Sequence, residues 1–266
     1  MPTTTEDHST SYARTDDRIV VTHRSRDTGR PLVLLDGQAN NHHWWDGVRG
    51  DFDKTHRTIT LGYRGTGTSD KPRDGYSTPR LAQDAVAVLD SLGIERADGY
   101  GTSMGGQVAQ WIAVRHPGRA LGCTSPGGPY AVERDTSVRR SLAQADPEAV
   151  RQALTDLMYS PGWLVRHSAG PHHTLGDPTM PPLARCGHLL ASDRHNTWEA
   201  LPSITAPTLI LHTDHHRLTP ARNVALLAGR IPDTRTHFSS PEPGTPTSRK
   251  AGRRPAPRSV TSSAER

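Results

Sequence analysis

Gly101-Thr102-Ser103-Met104-Gly105-Gly106 decides the fold of this 266-residue chain, because of what stands on either side of it. Residues 97–101 read as a short strand, and residues 104–116 carry Val108, Trp111 and Ile112 on one helical face before Pro117 closes the run. A serine on so tight a strand-to-helix turn is held in a strained backbone conformation. Side chains two positions before and two after it would collide, so Gly101 and Gly105 are demanded on steric grounds. Alone, G-x-S-x-G is a weak pattern; between a strand and a helix it marks a serine presented for chemistry. Met104, on the first helical turn, can offer its N–H to negative charge developing on a carbonyl oxygen, with the helix dipole behind it.

Outward from this turn, short apolar runs alternate with amphipathic stretches. Strands are expected at 18–24, 31–36, 58–63 and 207–212, the second a continuous apolar run suited to burial on both faces. Helices are expected at 79–92, where Leu81, Ala85, Val88, Leu89 and Leu92 share a face and Gly93 stops the run, and at 220–229. The alternation predicts an α/β fold with a mostly parallel central sheet flanked by helices. Between 125 and 200 the strand signal fades, Pro and Gly punctuate, and only 138–158 reads as helix, so a partly helical cap is expected there. The organisation that follows is a polar N-terminal extension (1–17), the α/β core (18–124), the cap (125–200), the core continued (201–236) and a disordered basic tail (237–266).

The net charge of +5 first suggests an anionic partner, but it is concentrated in the tail. From residue 237 onward six Lys or Arg face two acids, +4 of the total, so the folded part is nearly neutral and no nucleic acid is expected. A salt-dependent interaction of the tail with nucleic acid is the variant reading that remains. Two cysteines, Cys123 and Cys186, give neither a disulfide framework nor a thiolate metal site. No apolar leader and no membrane-length apolar run is present, so a cytoplasmic protein without membrane contact is expected.

A second oxyanion donor should come from the loop after the 31–36 strand, and Gln38 is the residue whose N–H is expected to point inward. At this point a resemblance is plain. Leu32-Val33-Leu34-Leu35-Asp36-Gly37, Trp45, the 63–70 stretch Tyr-Arg-Gly-Thr-Gly-Thr-Ser-Asp, the 101–106 turn and Pro207-Thr208-Leu209-Ile210-Leu211 with Pro220 resemble successive landmarks of the α/β-hydrolase family. The chain is most similar to its bacterial esterase, lactonase and haloperoxidase-like branch. The resemblance implies hydrolysis of a small-molecule carboxylic ester or lactone through an acyl-enzyme on Ser103, without a cofactor, in a pocket walled by Trp44 and Trp45.

The family's triad runs serine, acid, histidine. The acid's usual position here holds His216, and Asp214 on the same turn is the nearby carboxylate. Asp214 is therefore the shifted acid or an ordinary loop residue, and His215 or His216 the stand-in base. The family's histidine loop should fall near 240–246, which has no histidine, and His237 lies where the preceding strand is expected. Back-translation of 240–250 in a shifted frame yields Pro-Gly-Ala-Gly-His-Ala-Tyr-Phe-Glu-Glu, which resembles that loop. A frameshift between Arg235 and Ser240, removing the final strand, histidine and helix, would explain the departure, and the gene's DNA read in that frame decides it. Gly62, where relatives often have Asp, and the short 116–123 stretch point to a decaying copy of the family pattern. The competing readings are a non-catalytic member of the fold that keeps its pocket, and a metal-centred hydrolase using the clusters His42-His43, His172-His173 and His212, His215, His216. His212 and His216 share a face only on a helix, and 207–212 reads as strand, so no metal site is assigned.

Overall fold

The computed structural model describes residues 10–26, 28–116, 127, 131–132, 135–143, 146–159, 161–166, 176–213, 218–239 and 246–247. In chain order the elements are β1 (Ser11–Arg14), β2 (Val20–Arg26), β3 (Arg30–Leu35), a 3-10 turn (His42–Trp45), α1 (Arg49–Asp53), β4 (His56–Gly62), α2 (Thr78–Ser91), β5 (Asp98–Gly101) and α3 (Met104–Arg115). Then come α4 (Thr136–Leu142), α5 (Pro147–Met158), α6 (Pro161–Arg166), α7 (Pro182–Asp193), β6 (Thr208–Thr213), α8 (Arg222–Ala228), β7 (Thr234–Ser239) and β8 (Pro246–Thr247).

One sheet has the order β1-β2-β4-β3-β5, parallel across β4, β3 and β5 and antiparallel at its β1 and β2 margin. A second runs β6-β7-β8, with β6 and β7 parallel. The continuous apolar run behaves as two-sided burial requires. Val33 and Leu35 pack with Ile59, Leu61 and the inner faces of α2 and α3, whereas Leu32 and Leu34 pack on the opposite face against Trp45. Helix α3 ties the two halves together: Val108, Ala109 and Ile112 belong to the first cluster, and Ala113 joins Leu201, Ile204, Ile210, Val224 and Leu227 under the second sheet. Ser77 accepts from the Arg80 N–H at the start of α2, and Pro79 occupies its first turn, the start signals the sequence carries.

From Ser11 the N-terminal stretch joins the sheet. Its β1 pairs with β2, Ala13 opposite Val21, and Ala13 is buried in the main core. Asp17 reaches Arg64. Ser-Tyr-Ala-Arg, with Ala13 its one buried position, is too short an alternation to read as a strand.

The strand expected about His237 is β7. His237 lies on it opposite Leu211, where the sequence places a strand, and the strand runs to Ser239, past the boundary expected at 236. Two further helices, α6 and α7, stand in the 125–200 segment beside the expected helical stretch, which is itself split into α4 and α5.

Candidate functional site

Ser103 has φ 53° and ψ −121°, one of three non-glycine residues with positive φ among those described. That region is sterically costly for a residue with a Cβ and persists only where its surroundings over-determine it. Here they do. The Gly105 N–H donates to the Thr102 carbonyl (2.8 Å) and the Gly106 N–H to the Ser103 carbonyl (2.9 Å), closing the turn. A Cβ on Gly101 would lie 2.3 Å from the Gly105 carbonyl oxygen, and one on Gly105 would lie 2.1 Å from that of Leu35. Both glycines are thus fixed by close backbone approach, and the Ser103 side chain stands exposed above them. Met104 opens α3, and the first amides of a helix have no intrahelical acceptor.

The register of β3 on β5 sets Leu35 beside Gly101, and the Thr102 N–H donates to the Leu35 carbonyl (3.1 Å). The loop leaving β3 therefore runs against the serine: the Cβ position of Gly37 lies 3.5 Å from the Ser103 Cβ. Gln38 follows, half-buried, and then Ala39 with φ 58°. The far side of this loop is held by residues that the sequence reading passed over. The Ala39 N–H donates to His188 Nδ1 (3.3 Å), the Asp177 N–H donates to the Ala39 carbonyl (2.5 Å), and the Gly176 N–H donates to Asn40 Oδ1 (2.9 Å). The one available signal was a histidine at 188 in step with Ala184 and Ala191 on α7, the helix's buried stripe.

Asp36, which opens the loop, is fully buried, and its carboxyl oxygens have no hydrogen-bond partner outside their own residue. Burial raises its pKa well above 3.8, and the charge of Asp177 adds to this, against a hydrogen bond from its own backbone. A carboxyl whose folded pKa is raised holds a proton that the unfolded chain has lost, so stability falls as pH rises from about 4 toward the folded value. Asp36→Asn should therefore be more stable than the natural protein at pH 8. The gap should close near pH 4 in thermal melts. Equal melting-temperature differences at both pH values would show that Asp36 is ionised in the fold.

Trp45 is buried and tilted against Tyr100 (ring centroids 5.5 Å apart), in a cluster with Leu32 and Leu34 that half-buried Trp44 joins. This cluster covers the sheet face opposite α2 and α3. Asp214, His215 and His216 directly follow β6 and lie outside the described residues, as do Cys123, His172 and His173. Cys186 is an exposed free thiol. His42 and His43 stack at 4.2 Å, but among the described residues no three His, Cys, Asp or Glu side chains converge as a metal ion requires. His195 is buried between Thr78 Oγ1 (2.9 Å) and Gln110 Oε1 (3.4 Å), and burial lowers its pKa to about 3, so it is a neutral packing element. Among the described residues no helix is long and apolar enough to cross a membrane.

Comparison with known proteins places these features in context. A family model described as the alpha/beta hydrolase fold matches residues 30–242. A protein named as a carbamate hydrolase, RutD, from Azorhizobium caulinodans is 30% identical over 220 residues, 78% of this chain and 81% of its own. A 2-hydroxymuconate semialdehyde hydrolase from Pseudomonas putida is 29% identical over 232 residues, 79% of this chain and 78% of its own. Among solved structures, Est816, described as an N-acyl homoserine lactone degrading enzyme, superposes with TM-score 0.68 at 26% identity, covering 86% of this chain and 92% of its own. The esterase RhEst1 from Rhodococcus shares the fold, with TM-score 0.71 at 22% identity over 87% of this chain and 90% of its own.

Proposed function

The chain belongs to the alpha/beta hydrolase fold family, and within it we propose that it is a serine hydrolase acting on a carboxylic ester or lactone of a small molecule. The observation that carries this reading is Ser103, exposed at φ 53° on a turn that its two glycines alone permit. Conformational strain of this kind is retained where a side chain must stand proud of the backbone.

In the proposed reaction Ser103 Oγ attacks the carbonyl carbon and its proton passes to an imidazole. The N–H groups of Met104 and Gln38 receive the resulting oxyanion. Collapse of the tetrahedral intermediate breaks the ester C–O bond, the alkoxide leaves with the imidazole's proton, and water then cleaves acyl-Ser103 by the same steps in reverse roles. The base proposed is His216 with Asp214 as the orienting acid, in the segment that directly follows β6. Esterase and lactonase neighbours and small-molecule hydrolase relatives support the substrate class. Burial of apolar side chains on both sheet faces supports a stable scaffold for it. No cofactor enters the scheme.

The lack of a histidine in 240–246, where the family's histidine loop is expected, favours a second reading, a member of the fold that binds but does not turn over its ligand. A fluorophosphonate probe separates the two. Stoichiometric labelling mapped to the Ser103 peptide is expected, because only an activated serine attacks phosphorus at a useful rate; a folded protein that stays unlabelled would establish the binding reading.

A further inference from the structure

Loop 37–40 carries a conformation that its own sequence does not favour. Alanine at φ 58° lies in the left-handed region, where glycine and asparagine are at home and alanine is strained. Asn40 is next door, yet it is Ala39 that adopts the strained conformation, so the cause must be external to the loop. Segment 176–188 supplies it by holding the two peptide units that flank the Ala39 Cα: the Ala39 N–H donates to His188 Nδ1 and the Ala39 carbonyl accepts from the Asp177 N–H. Ala39 also packs against Met180 and Ala184, so the contact is apolar as well as polar.

Each holding group is itself held. His188 is fully buried on α7, and its Nε2 lies 2.9 Å from the carbonyl oxygen of Arg64, which can only accept. Nε2 therefore carries the proton and Nδ1 is left as the acceptor that the Ala39 N–H requires. The neutral imidazole fits this arrangement: burial lowers its pKa to about 4, opposed by the Arg64 carbonyl. Asp177 accepts from the Gly67 N–H and from the N–H and Oγ1 of Thr179 (2.8 Å each), and Arg185 donates to its carbonyl (3.0 Å). Burial works against its charge, and these hydrogen bonds still bring its pKa below the ordinary value.

We propose that His188 is a positioning residue for the oxyanion hole: by accepting the Ala39 N–H in the one tautomer that the Arg64 carbonyl permits, it fixes loop 37–40 so that the Gln38 N–H faces Ser103. This rests on the hydrolase reading above, because it assigns His188 a part in that site's geometry. Its consequence is that the inserted helices act on the chemistry itself. Donor placement governs oxyanion stabilisation, and a displacement of about 1 Å can cost about 10²-fold.

Two substitutions at one position separate the two bonds of the ring. Asn places an oxygen near the Nδ1 position and keeps an acceptor for Ala39, while losing the bond to Arg64. Gln places an amide nitrogen near the Nε2 position and keeps the donor to Arg64, while losing the acceptor for Ala39. The full chain, His188→Asn and His188→Gln are compared for p-nitrophenyl butyrate turnover and for peptide-level hydrogen exchange across residues 36–41. His188→Gln is expected to lower kcat by about 10- to 100-fold with KM nearly unchanged and to raise exchange in the loop peptide. His188→Asn is expected to stay within about threefold of the natural protein on both measures. Equal kcat and equal loop exchange for the two variants would overturn the proposal, as would a uniform rise in exchange over the whole chain, which would mark His188 as a packing residue only. Ser103→Ala serves as the reference. If it leaves turnover unchanged, the hydrolase reading falls, and loop exchange alone still decides whether His188 sets the loop.

Discussion

Ser103→Ala is expected to reduce turnover of p-nitrophenyl acetate and butyrate by at least about 10³-fold, with the melting temperature almost unmoved. The size follows from what is removed: without the hydroxyl no acyl-enzyme forms, and only the rate due to binding and the oxyanion donors remains. The unchanged stability follows from what is kept. Alanine has the same Cβ as serine at φ 53°, so the strain of the turn is neither relieved nor increased. The Gly105 and Gly106 amides that close the turn bond to backbone carbonyls and are untouched. Hydrolysis by the two proteins is compared at matched concentration after circular dichroism has shown both folded. Loss of turnover on substitution would mean that a histidine of this chain serves Ser103 as base; equal residual rates would mean that the site binds without reacting.

The elbow was legible because its requirements are local. Two glycines at fixed offsets, a strand before and a helix after are all written within about twenty residues. The parallel strands were legible for a similar reason, since burial on both faces makes 32–35 apolar without interruption. Helix α7 was not legible, and its packing says why. Ala184, His188 and Ala191 form its buried stripe, while Leu183, Leu189 and Leu190 are exposed, so its hydrophobic pattern points to the wrong face. The same inversion hid His188, which reads as a surface residue among leucines. Ala39 could not be found at all, because its left-handed conformation is imposed by partners about 140 to 150 positions away in the sequence. Asp36 was read as part of a family landmark, and only the closed packing around it shows that its carboxyl is fully buried. The donor role of Gln38 and the pairing of Asp214 with His216 depend on long-range geometry and stand as proposals.

The largest loss of stability is expected at Arg64, which occupies the landmark stretch after β4. Its guanidinium is 1% exposed and grips Asp84 of α2 through two oxygens, Nε to Oδ2 at 2.7 Å and Nη2 to Oδ1 at 2.6 Å, while Nη1 and Nη2 reach Asp17 at 2.9 and 3.1 Å. Burial alone would make it easier to deprotonate, but its two carboxylate partners more than offset this and hold it charged. Arg64→Met leaves the wholly buried Asp84 without its counter-ion and frees the segment that carries β1. Removing one partner of such a pair costs about 3 to 5 kcal/mol, which for a chain of this size lowers the melting temperature by about 10 °C. The reason is the orphaned carboxylate more than the lost attraction, and that can be tested directly. Adding Asp84→Leu to Arg64→Met is expected to recover a large part of the loss, as an apolar pair of similar bulk often replaces a buried ion pair at little cost. Thermal melts of the two single variants and the double variant decide it: full additivity would mean that Arg64 stabilises the fold through Asp17 and its backbone contacts instead. Because His188 is held by the backbone carbonyl of residue 64, which these substitutions keep, the double variant should regain stability with the loop beside Ser103 ordered as in the natural protein.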